Sequence, residues 1–215
     1  MLSIFLFSLA GCSLFQTLQE DQLESLLVKT CLSGQGQSRI HFRQNRSLIR
    51  FESALLKEEG QWFVAMDVPG RGQEVIQVNY FDDQKPIQGR FYDRLYFSAE
   101  QENPEVLMWF EEFVKLLVFI PHLTDEAFLD QLKCQNNACL FHERKFYYEA
   151  NQYGFTITSP TDHENIALVF EASDLEQSGD WFRRVIFRLR LTDRVGPAAH
   201  PAELYFFLED CRRNL

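Results

Sequence analysis

Residues 181–192 read Trp-Phe-Arg-Arg-Val-Ile-Phe-Arg-Leu-Arg-Leu-Thr, and the alternation in this stretch decides the fold class. Apolar side chains recur at every second position from Val185 to Leu191, and Arg188 and Arg190 lie between them. Successive side chains of a β-strand point to opposite faces of its sheet. The pattern therefore predicts a strand with one face towards an apolar interior and the other towards water or acidic neighbours.

Strands of the same period are predicted on both sides of this segment. On the N-terminal side they form a hairpin within 33–57, two strands flanking the Pro69-Gly70 loop, and a strand near Phe91–Phe97. On the C-terminal side they cover about 139–150, 154–158, 166–172 and 202–210. No linker or repeat divides this region, so the sequence predicts one antiparallel, mostly β domain over 31–215.

Two helices are predicted to interrupt the strands. Glu105–Ile120 places apolar side chains at helical spacing around most of its circumference, and Pro121 is expected to end this helix. Thr124 is suited to cap a second, shorter helix that ends near Cys134. An apolar helix of this kind is expected to lie against the apolar side of the sheet.

The N-terminus carries the signs of an export signal. Residues 1–11 are apolar, too few to span a bilayer as a helix but typical of a signal peptide. Leu-Ala-Gly-Cys at 9–12 resembles the bacterial lipobox, which implies cleavage before Cys12 and its acylation, with a tether and short helix over 12–30. Ser13 after that cysteine is consistent with an outer-membrane anchor facing the periplasm. The alternative is a buried N-terminal helix that contains a cysteine by chance. A signal peptide usually begins with Lys or Arg, and none precedes the apolar run here, which favours a start codon upstream.

Four further cysteines suit an oxidising compartment. Cys134 and Cys139 flank the polar sequence Gln-Asn-Asn-Ala, so a local bridge is the simplest choice and leaves Cys31 to pair with Cys211. Four cysteines permit three connectivities, and the other two stay open. Neither the cysteines nor the 5 histidines have the spacing of a metal motif, so no metal site and no cofactor is expected.

Composition and motifs exclude several function classes. With 21 Lys and Arg against 31 Asp and Glu, the net charge is −10, and no basic block is longer than an arginine pair. Nucleic acid is therefore not an expected partner. The sequence contains no nucleophile elbow, P-loop, zinc-protease or dinucleotide-binding motif. Adjacent acidic residues on a strand or helix point in different directions, so no acid–base pair is expected and the protein is predicted not to be an enzyme.

The order of elements behind a lipobox resembles the LolA/LolB-like family of periplasmic lipoprotein carriers and receptors. The closest local matches are Gly34–Ile40, Asp67–Gly70 and Phe113–Pro121. The resemblance implies an incomplete antiparallel β-barrel of about 10 to 11 strands, with two central helices covering an apolar concave face. Receptor-type members carry a protruding leucine in the Pro-Gly loop, whereas residues 69–72 here read Pro-Gly-Arg-Gly and offer no apolar side chain to insert.

The resemblance and the 21 phenylalanines together predict a cavity that binds acyl chains or lipoproteins. Its candidate walls are Phe51, Trp62, Val64, Met66, Trp109, Phe113, Leu117, Val185, Phe187 and Leu189. The alternative is that these side chains fill the interior, which leaves a structural or protein-interaction lipoprotein with an envelope protein as its partner. An exposed aromatic patch outside the barrel would favour that alternative.

Overall fold

The computed structural model describes residues 23–42, 45–82, 84–125, 129–141, 144–151, 153–176 and 180–212. Cys12 and the predicted signal peptide lie outside these ranges. The strands are β1 (Gly34–Phe42), β2 (Asn45–Leu56), β3 (Gln61–Val68), β4 (Gly72–Asn79), β5 (Ile87–Gln88), β6 (Lys133–Gln135), β7 (Ala138–Phe141), β8 (Arg144–Asn151), β9 (Gly154–Pro160), β10 (Ile166–Glu176), β11 (Trp181–Leu191) and β12 (Ala202–Leu208). The helices are α1 (residues 23–28), α2 (Arg90–Glu102) and α3 (Pro104–Leu123).

All twelve strands belong to one antiparallel sheet, in the order β5-β4-β3-β2-β1-β12-β11-β10-β9-β8-β7-β6. Strands adjacent in sequence pair with each other in both halves, and the pairing of β1 with β12 joins the halves. The outermost strands of this order, β5 and β6, are only 2 and 3 residues long, which limits edge-to-edge association. The predicted class, an open antiparallel barrel of mostly β, α+β character, is confirmed, with twelve strands in the described part of the chain rather than 10 to 11.

Strand β11 shows how the alternation produces the core. Val185, Phe187 and Leu189 are fully buried on the concave face. On the outer face, Arg188 donates to Glu203 at 3.1 Å and lies 3.5 Å from Glu171. The opposite faces of one strand therefore carry the apolar core and a network of ion pairs.

Helix α2 corrects the sequence prediction, which assigned a strand near Phe91–Phe97. Aromatic residues favour strands, but Phe91, Leu95 and Ala99 recur every four residues, as on one side of a helix. The turn before the helix requires Gly89, whose φ is 134° and whose Cβ, if present, would lie 2.1 Å from the carbonyl oxygen of Val75. The strand assignment was wrong because helical spacing outweighed residue preference.

Helix α3 follows directly and runs past the proline expected to end it. The side chain of Asn103 accepts the backbone N–H of Glu105 at 2.8 Å and caps the start of the helix. Pro121 lies inside the last turn, which closes when the Thr124 N–H donates to the Ile120 carbonyl at 3.0 Å. Thr124 is thus the C-cap of α3, and residues 126–128 of the predicted second helix lie outside the described ranges. The consecutive helices in the described part of the chain are α2 and α3.

Helices α1 and α3 occupy the inside of the curved sheet. α3 contacts β4 in one half and β10, β11 and β12 in the other. Leu23 and Leu27 of α1 are completely buried in the same core, and the Trp62 indole N–H donates to the Leu32 carbonyl at 2.9 Å. The short helix expected within 12–30 is therefore present at 23–28 and belongs to the core.

Two disulfides hold the chain, in the pairs that the spacing favoured. Cys31, just after α1, is bonded to Cys211 beyond β12, with their Cα atoms 6.0 Å apart. Cys134 of β6 is bonded to Cys139 of β7 across a tight hairpin, with Cα atoms 4.1 Å apart. One bridge therefore joins the ends of the domain and the other fastens an edge of the sheet.

Tyr80 anchors the C-terminal end of α3. The His122 ring N–H donates to the Tyr80 carbonyl, and the Tyr80 hydroxyl donates to the Lys57 carbonyl at 3.3 Å. Burial, with a smaller contribution from Asp125, raises the pKa of Tyr80 to about 12. The folded protein therefore keeps this hydroxyl protonated at pH values where an unfolded tyrosine ionises.

This raised pKa predicts a loss of stability in alkali. Between pH 10 and pH 12 the unfolded state binds fewer protons than the folded state, so the free energy of unfolding falls as pH rises. At pH 11 the ionisation of Tyr80 should lower the free energy of unfolding by on the order of 1 kcal/mol. Urea denaturation at pH 9 and pH 11 should show a smaller alkaline loss for Tyr80→Phe than for the wild type. Equal losses in the two proteins would contradict the assignment.

Candidate binding site

An apolar cavity of about 50 Å³ lies between the sheet and the two consecutive helices. Ile76 and Ile87 border it from β4 and β5, and Leu204 borders it from β12. The other side is formed by α2 and α3, and the surface facing the cavity is apolar. This lining offers no polar group that could bind water, so the cavity suits a hydrocarbon chain.

Helix α2 covers this cavity but is only lightly buried. Phe91, Tyr92 and Leu95 line the cavity, yet Ala99 is the buried residue of the helix. The Tyr92 ring stacks on the Phe110 ring of α3 at 5.7 Å. Burial raises the pKa of Tyr92, and nearby tyrosine and acidic groups add to the effect, so its hydroxyl is uncharged at neutral pH.

One ion pair ties α2 to the sheet beside the cavity. Glu74 lies on the inward face of β4, in line with Ile76 and Val78, and its side chain is completely buried. It pairs with Arg94 of α2, whose side chain is 37% exposed. The second carboxylate oxygen of Glu74, Oε2, has no hydrogen-bond partner among the described residues. Because a buried carboxylate needs its counter-charge, this pair holds the helix against β4.

The candidate wall residues fall into three groups. Phe113 and Leu117 of α3 line the cavity, and Trp109 lies half-buried beside α2. The remaining seven are buried in the core of the sheet and are Phe51, Trp62, Val64, Met66, Val185, Phe187 and Leu189.

Aromatic packing explains why these seven do not border the cavity. The Trp62 and Phe187 rings stack at 5.4 Å, and the Phe51 and Phe206 rings meet edge to face at 4.6 Å. Phe170 extends the same row, 5.3 Å from Phe187. These rings contact one another, so the centre of the barrel is solid there and the space lies under α2 instead.

A polar groove of about 340 Å³ lies along another side of α3. The Arg144 guanidinium lies 5.2 Å from the Phe119 ring centroid, and burial lowers the pKa of Arg144. Lys115 of the same groove pairs with the buried Glu112. Asp162 adds a second carboxylate, and both Glu112 and Asp162 act on Arg144, so most of the charge in this groove is paired within it.

The lining contributed by α2 and the buried Glu74 were not predicted from the sequence. Both carried a signal: the four-residue recurrence in α2, and an acidic residue in β4 at an alternate position shared with Ile76 and Val78. Among the described residues, no group of three or more His, Cys, Asp or Glu side chains is placed to hold a metal ion.

No helix in the described part of the chain is long and apolar enough to cross a membrane. Neither a protein-family model nor a curated protein matches the sequence. The class is therefore defined by the fold itself: an open antiparallel β-barrel-like sheet with helices packed on its concave face.

Proposed function

We propose that this protein binds acyl chains or lipoproteins under α2 and α3, and that it is anchored through Cys12 to the bacterial outer membrane, facing the periplasm. The observation that carries the proposal is the apolar cavity beneath a helix with a single buried residue. The likeness of the sequence to the LolA/LolB-like family, and its lipobox, support the same function. Binding and release involve no covalent step, cofactor or metal.

The size of the cavity sets a condition on binding. Small-molecule pockets occupy about 300–1,000 Å³, whereas this cavity is about 50 Å³. An acyl chain therefore enters only when α2 moves away from β4. Each buried methylene contributes about 0.8 kcal/mol, so roughly a dozen methylenes contribute on the order of 10 kcal/mol towards the cost of moving α2.

Native mass spectrometry is the direct test of the proposal. The mature chain without its anchor, beginning at Ser13, would be secreted to an oxidising periplasm and purified without detergent. Stoichiometric adducts with the mass of acyl-bearing molecules, lost on denaturation, are the expected result. A chain that carries no adduct and rejects added fatty acid would overturn the proposal.

Filling the cavity should abolish most of this binding. Val114 of α3 lines the cavity, and Val114→Phe places a ring where the chain would lie. The dissociation constant for a dansylated fatty acid, measured by fluorescence titration, should rise by roughly tenfold or more. Val75→Phe is the matched control, because Val75 is 41% exposed on β4 and does not border the cavity. Equal affinity in the two variants, with both folded, would place the binding elsewhere.

A second candidate function, docking of an envelope protein, is favoured by a separate observation. Phe97 of α2 is 56% exposed and lies outside the barrel. The chemistry of the surface around Phe97 defines which kind of partner would fit it.

A further inference from the structure

The outward side of α2 presents aromatic rings to solvent. Phe97 is 56% exposed, and its ring centroid lies 6.0 Å from that of the half-buried Tyr96. Tyr96 of α2 and Trp109 of α3 both pack, half-buried, against the cluster of Ala99, Val106 and Phe110. We call Tyr96, Phe97 and Trp109 the α2–α3 face. Aromatic side chains of these types are enriched in protein interfaces and supply much of their binding energy.

Phe97 points away from the cavity. At 100° per residue, it lies about 120° to 160° around α2 from Phe91, Tyr92 and Leu95, which line the cavity. Tyr96 lies between Phe97 and Tyr92, and its ring stacks on that of Tyr92 at 5.5 Å. A molecule that contacts Phe97 therefore leaves the cavity lining in place, and the inference does not rest on acyl binding.

Acidic side chains surround the rings. Residues 90–111 contain five acidic residues and two arginines, and one of these, Arg94, is committed to Glu74. Asp93 and Glu100 lie on the same side of α2 as the rings, and both are exposed. The face therefore combines aromatic surface with an excess of negative charge.

We propose that the α2–α3 face binds a cationic amphipathic segment of a protein partner. Lysine or arginine side chains gain both ionic attraction and cation–π contact over the rings, while apolar side chains cover Phe97. An anionic lipid surface would be repelled by the same acids. A second copy of this chain in a twofold contact would place its own acidic side chains against those of this face, and the two sets would repel each other.

The probe is an amidated, acetylated helix of leucine and lysine of about 14 residues, compared with a leucine–glutamate helix of the same pattern. Acrylamide quenching reports on the site, because Trp62 and Trp181 are 1% and 8% exposed while Trp109 lies at the face. The lysine peptide should protect Trp109 from the quencher, with an affinity that falls as salt rises. The glutamate peptide should not bind.

Phe97→Ser should weaken the lysine peptide by roughly tenfold or more while leaving the affinity for the dansylated fatty acid unchanged. Leu48→Ser is the matched control, since Leu48 is 62% exposed on β2 and should leave peptide binding intact. Equal binding of both peptides, or no effect of Phe97→Ser, overturns the inference. It is also overturned if the wild type binds phosphatidylcholine vesicles, or dimerises, through Phe97 in place of the lysine peptide. If the wild type binds the lysine peptide but does not bind the dansylated fatty acid, the result contradicts the proposed function and leaves this inference standing.

Discussion

Replacing both Cys31 and Cys211 by alanine is expected to lower the free energy of unfolding by about 5 kcal/mol. The two residues are separated by 180 positions, so their bridge restricts nearly the whole unfolded chain. Stabilisation by a disulfide grows with the logarithm of the loop that it closes. Alanine is preferred to serine because Cys31 is buried and a hydroxyl there would add a separate cost.

The second disulfide provides the matched control. Cys134 and Cys139 are only 5 positions apart, so their replacement by alanine should cost about 2 kcal/mol. Urea denaturation of the wild type and both double variants measures the two losses under one condition. Equal losses would show that residual structure in the unfolded chain, rather than loop closure, determines what the bridges contribute.

Most of the fold was predicted from the alternation of apolar and polar residues along the strands. In β11 the period of two correctly separated Phe187 and Leu189 from Arg188, because a strand in a one-sided sheet has no other way to bury its apolar residues. The polar turn between Cys134 and Cys139 likewise pointed to a bridge that the structure contains. Such features depend on neighbours in the sequence and can be inferred from it.

Features that depend on distant parts of the chain could not be inferred in the same way. In α2 two local signals conflict, because the aromatic residues favour a strand and their four-residue recurrence favours a helix, and the packing of these residues on α3 and β4 belongs to the helix. Because residues 91–97 were assigned to a strand, Phe91 and Leu95 were not among the predicted cavity walls. Both residues line the cavity from a helix. Whether Trp62 and Phe187 fill the barrel or line a space depends on how β3 and β11 face each other across it, and no local pattern contains that distance.

Replacing Arg94 by methionine should lower the free energy of unfolding by about 3 kcal/mol, the low end for a broken buried pair because Arg94 itself is 37% exposed. The loss comes from the Glu74 carboxylate, which stays buried without a counter-charge. The double variant Arg94→Met, Glu74→Leu removes that carboxylate and should recover most of the stability. A double-mutant cycle from urea denaturation separates the two contributions. If the double variant is no more stable than Arg94→Met, the cost lies in the other contacts of Arg94.

The same substitution should act on acyl binding with the opposite sign. Without Arg94, the state with α2 against β4 contains an unpaired buried carboxylate, whereas moving α2 away exposes Glu74 to water. The open state therefore becomes more populated, and the apparent affinity rises in proportion to that population. Arg94→Met should bind the dansylated fatty acid up to about tenfold more tightly, although the protein is less stable. General damage to the fold would weaken both properties together, so a parallel loss of stability and affinity would exclude a closing role for the Glu74–Arg94 pair.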